Sequence, residues 1–100
     1  MATFGNIGGP YPVDGAQFSA LYCNGSTQVK SSPGIIRQVN VLVAGSAGAI
    51  YDCVGTAHAA TANEVAVVPA TVGPLLLNFP CAVGILYVPG ASQVASISYL

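Results

Sequence analysis

The chain has 100 residues, enough for one domain with a single modest core. Hydrophobic residues make up 53% of it and charged residues only 5%, against roughly 25% in ordinary soluble domains. The ionic side chains Asp14, Lys30, Arg37, Asp52 and Glu64 stand singly, which excludes the clustered Lys and Arg that a nucleic acid or an anionic lipid surface requires.

From the N-terminus, MATFGNIGGPYP has neither the basic start nor the apolar block of a secretory signal. Its Gly5–Pro10 stretch (GNIGGP) is a poor phosphate loop, since no strand precedes it and Pro10 spoils a following helix. Met1–Pro33 is dense in Gly and Pro, so it is expected to be mostly extended arm and turns. It also carries Phe4, Tyr11, Phe18 and Tyr22, half of the aromatic residues. Rings at that density suit an arm pinned on a surface, either that of its own body or that of a neighbour. Gln17–Cys23 reads as a short strand or one helical turn, and Ser26–Lys30 as an edge strand.

Gly34–Asp52 is the most strand-like part of the chain. Ile35–Ala44, the turn Gly45-Ser46-Ala47-Gly48 and Ile50–Val54 predict an antiparallel hairpin. Gly55–Asn63 is a loop of small residues without the apolar stripe of a helix. Glu64–Val68, Leu75–Phe79, Val83–Val88 and Gln93–Tyr99 follow as strands, with Pro89-Gly90 fitting a type II turn that would close a final hairpin. Every apolar run is cut well short of the roughly 20 residues of a spanning helix, and most strands are shorter than the 9–11 residues of a spanning barrel. The expectation is an all-β antiparallel β-sandwich, jelly-roll or immunoglobulin-like, with the arm over 1–33 and the sandwich over 34–100.

Ile35/Ile36, Val41/Leu42, Val67/Val68, Leu75/Leu76 and Leu86/Tyr87 put large apolar groups on both sides of their strands. A sandwich in water should alternate instead. The second face is therefore expected to be covered by a neighbouring subunit or a scaffold.

Chemistry is harder to find. Cys23, Cys53 and Cys81 form no close pair, so a zinc site is not expected and reduced thiols in a cytoplasmic setting are. His58 is the only histidine, and Asp52 and Cys53, adjacent on a strand, should face opposite ways rather than form a nucleophile with it. Asp14, Asp52 and Glu64 show no pairing that suggests hydrolysis or a calcium cage. No catalytic, cofactor-binding or metal-binding residue is assigned. Arg37 is either one end of an inter-subunit ion pair or a solvated edge residue.

Gly34–Tyr51, with Val39-Asn40-Val41 and Ala44-Gly45-Ser46-Ala47-Gly48, resembles small virion proteins of tailed bacteriophages. So does the later run through Val67-Val68-Pro69-Ala70, Phe79-Pro80, Gly84–Gly90 and Gln93–Tyr99. The resemblance implies a non-enzymatic capsid decoration or cement protein on the virion surface, made in the host cytoplasm. Its partners would be itself, as dimer or trimer, and the major capsid protein or another virion protein, with no cofactor, nucleic acid or membrane. Phe4, Ile7, Tyr11 and Val13 of the arm, with Arg37, are the expected interface residues. The alternative is a head- or tail-fibre module that binds host surface glycan, against which stand the absence of Trp and the presence of only three carboxylates.

Overall fold

The computed structural model describes residues 18–100, so Phe4, Ile7, Tyr11 and Val13 lie outside the described residues. Eight strands carry the described chain: β1 (Phe18–Cys23), β2 (Thr27–Lys30), β3 (Gly34–Val43), β4 (Gly48–Tyr51), β5 (Glu64–Val68), β6 (Gly73–Cys81), β7 (Ile85–Val88) and β8 (Val94–Tyr99). They form two antiparallel four-stranded sheets, ordered β1-β8-β3-β6 and β2-β7-β4-β5. No described helix is long and apolar enough to cross a membrane.

The order has a simple origin. β1 pairs with β8, β2 with β7, β3 with β6 and β4 with β5, as if the chain were first doubled into one long hairpin. That hairpin then rolls up, joining β3 to β8 and β4 to β7. This is the jelly-roll arrangement of a β-sandwich rather than the immunoglobulin-like one.

Three expectations need correction. The β3 and β4 segments belong to different sheets, so Gly45–Ala47 is a crossing between layers and not a hairpin turn. The same holds for β7 and β8. There the turn closes through Gln93 N–H donating to the Gly90 carbonyl at 3.1 Å, and the positive φ falls on Ser92 at 64°, not on Gly90. Finally, Phe18–Cys23 and Thr27–Lys30 supply β1 and β2, so among the described residues the sheets include two strands ahead of Gly34. Short strands rich in β-branched residues predict pairing, but partner choice is made by the layer that buries them.

The core follows the period of two. Ile36, Val39 and Val41 of β3, Ile50 of β4, Val68 of β5, Ile85 and Tyr87 of β7, and Ala95 and Ile97 of β8 are buried between the sheets. Leu75, Leu77 and Tyr99 pack against them from the margins.

Each end of the sandwich is tied by an uncharged amide. At one end Gln93, only 1% exposed, accepts from the Tyr87 hydroxyl at 2.7 Å. It also donates to the carbonyls of Val68 and Pro69. At the other end the Gln28 amide nitrogen donates to the carbonyls of Lys30, Cys53 and Ile85, while its oxygen accepts from Gly55 N–H at 2.7 Å. Buried polar groups are tolerated only when bonded in this way.

Candidate functional site

Asp52 leaves β4 at the Gln28 end and turns back toward the β6–β7 connection. Its carboxylate accepts three backbone N–H groups, from Ala82 at 2.9 Å, Val83 at 2.8 Å and Gly84 at 3.1 Å. Burial pushes this carboxyl up, but the three N–H donors outweigh that and hold it below the usual carboxylate range. Cys53, Asn63 and His58 border the same shallow depression of about 500 Å³. His58 is exposed on a single 3₁₀ turn, Thr56–His58, in the loop that the sequence predicts to be helix-free.

These neighbours do not assemble a nucleophile. The carboxylate is already occupied, and the Cys53 thiol is buried and pushed up, by burial first and by the Asp52 charge second. A thiol moved in that direction is less of a thiolate and a weaker nucleophile. Burial likewise raises Cys23, and raises Cys81 to about 11. Among the described residues no group of three or more His, Cys, Asp or Glu is placed to hold a metal ion. Asp52 therefore acts as a local clasp on the β6–β7 turn.

Arg37 lies on β3, an interior strand flanked by β8 and β6, not at an edge. Its Nε donates to Asn78 Oδ1 at 2.8 Å, and Asn78 sits at φ 49° where the β3–β6 register slips. Arg37 thus closes a bulge within its own chain, a role its spacing did not reveal.

The outward side of the β1-β8-β3-β6 sheet is where sequence and structure differ most. In each of the five apolar pairs one residue faces the core. In Leu86/Tyr87 both are buried, while Ile35, Leu42, Val67 and Leu76 are exposed to differing degrees. The most exposed of the large apolar side chains, Leu21 at 76% and Leu76 at 69%, lie on the edge strands β1 and β6. The middle of the face is polar. Ser19, Ser98 and Gln38 are cross-strand neighbours in one row and Ser96 and Asn40 in the next, and together with Leu21 they line a groove of about 190 Å³. No charged side chain is among its lining residues.

Sequence reading missed this polar row. Its signal was present in Gln38-Val39-Asn40 and Ser96-Ile97-Ser98, where polar residues alternate with core residues, but which strands lie side by side is not encoded in either triplet. No protein-family model, no curated protein and no solved structure matches this chain.

Proposed function

We propose that this protein is a non-enzymatic structural component of a bacteriophage virion, a decoration or cement protein that self-associates and docks on the capsid shell. The reading is supported by large apolar side chains left exposed on the sandwich margins in a chain with only 5% charged residues. Leu21 and Tyr22 on β1, Val67 on β5 and Leu76 on β6 all lie on edge strands. Side chains of this kind at a strand edge suit contact with a neighbouring subunit.

The mechanism is mechanical. Many copies bridging adjacent shell subunits would each bury a modest apolar area at about 25 cal/mol per Å², and simultaneous engagement would add avidity. The segment Met1–Gly15, with Phe4, Ile7, Tyr11 and Val13, would reach the next subunit. Two measurements test this. Light scattering during size exclusion should show a dimer or trimer, and a monomer at every concentration would overturn self-association. Co-sedimentation with shells of the cognate phage should be lost on deleting Met1–Gly15 while the sandwich stays folded; unchanged binding would exclude the arm.

A further inference from the structure

The register of β1 against β8 places a bulge carrying Tyr22 beside the polar groove. Ala20 pairs with Ile97 and Cys23 with Ala95, and all four point inward. Leu21 and Tyr22 are left to share the single outward slot opposite Ser96, which is a bulge. Tyr22 consequently holds φ at 50°, a conformation that bulky residues rarely adopt, and the residue is 61% exposed. The bulge is pinned by Tyr22 N–H donating to Ser96 Oγ at 3.1 Å, and Ser96 lines the groove. Strained backbone of this kind clusters at ligand-binding sites.

We propose that the groove on the outward side of the β1-β8-β3-β6 sheet, with Tyr22 at its margin, binds a neutral carbohydrate chain. Ser19, Gln38, Asn40 and Ser98 offer hydroxyl and amide groups that both donate and accept, and among the described residues their side chains have no intramolecular partner. Cross-strand neighbours lie about 4.8 Å apart and alternate residues about 6.8 Å apart, the scale of the hydroxyls around one sugar ring. The uncharged lining matches a ligand without charge and gives a phosphate or an acidic peptide nothing to pair with. A second copy of the chain fits less well, because protein interfaces place apolar groups at the centre and polar ones at the rim. Here that order is reversed, with hydroxyls and amides central and Leu21 and Leu76 at the sides. The absence of Trp and of nearby carboxylates is met by Tyr22 and by neutral amides in their place. This inference shares Leu21 and Tyr22 with the shell-docking reading but rests on the polar groove, and sugar titration and shell co-sedimentation can fail separately.

The test is titration of the full ¹⁵N-labelled chain with maltohexaose, cellohexaose and chitohexaose, with polygalacturonate as the charged control. An open groove of this kind should bind at least one neutral probe with Kd on the order of 0.1–10 mM. The amide shifts should be confined to the 19–22, 38–40 and 96–98 segments that line or border the groove. Tyr22→Gly, which removes the ring and relieves the positive φ, should keep or raise Tm and weaken binding about tenfold or more. Gln38→Ala/Asn40→Ala should weaken it without loss of folding. Absence of shifts with all three neutral probes at about 20 mM overturns the proposal. So do shifts elsewhere, equal response to polygalacturonate, or undiminished binding by Tyr22→Gly. If these amides instead shift with protein concentration alone and no sugar reverses it, the face belongs to a second copy and the proposal fails.

Discussion

Gln93 and Asp52 show how a chain so poor in ions secures its ends with single polar side chains. Gln93→Leu would keep the volume but strand the Tyr87 hydroxyl and the carbonyls of Val68 and Pro69 in a buried place. The expected loss is about 2–4 kcal/mol, read from urea unfolding, and Tyr87→Phe alone should cost less. For Asp52 the folded carboxyl lies below its unfolded value, so its contribution is complete above about pH 4 and is lost as pH falls through the folded value. Stability of the native chain should therefore fall on acidification below about pH 4, and Asp52→Asn should flatten that slope while lowering stability near neutrality. The thiols give a third test. With Cys23, Cys53 and Cys81 all buried and all pushed up, none should react quickly with a disulfide reagent at pH 8, whereas all three should react once the chain is unfolded.

At the scale of elements, the crossings between sheets carry more constraint than the strands. The β3–β4 and β7–β8 connections touch, with Ser46 N–H donating to the Ala91 carbonyl at 2.9 Å. A Cβ on Gly90 would collide with the carbonyl oxygens of Ser46 and Ala47, and Gly45 sits at φ 51° against the same turn. Gly90→Ala should cost about 2 kcal/mol or more in thermal or urea unfolding, since backbone rather than a flexible side chain blocks it. Gly25→Ala, where a Cβ meets nothing within 4 Å, should be close to neutral. The edges are managed by irregularity. Register slips occur in the β1–β8, β2–β7, β3–β6 and β4–β5 pairs, so every edge strand is bulged or bent. Pro74 and Pro80 further remove N–H donors from β6. Such edges resist indiscriminate strand addition, which favours side-chain contacts over sheet extension in any assembly.

For the whole molecule, the doubled-hairpin topology sets the kinetics. Phe18 pairs with Tyr99 and Gly34 with Cys81, so the two ends of the described residues must meet before β1 has a partner. Folding should be slow for the size, in the millisecond-to-second range or beyond by stopped-flow, because loop closure precedes most of the stabilising contacts. A microsecond refolding phase carrying the full amplitude would contradict the topology.

Much was legible from residue order alone. Alternation of Val39, Val41, Ile50, Ile97 and their polar neighbours determined an all-β chain, because side-chain direction on a strand is a local property with a period of two; which side is buried was not legible where pairs such as Leu75/Leu76 are apolar on both. The positions of most strands followed from Gly and Pro between them for the same local reason. Which strands lie side by side was decided only in three dimensions: β3 and β4 read as a hairpin yet serve different sheets, since burial by a second layer outweighs proximity along the chain. The groove depends on that pairing as well. Ser19, Gln38, Asn40, Ser96 and Ser98 come from three distant stretches, and only the rolled-up register sets them in neighbouring rows.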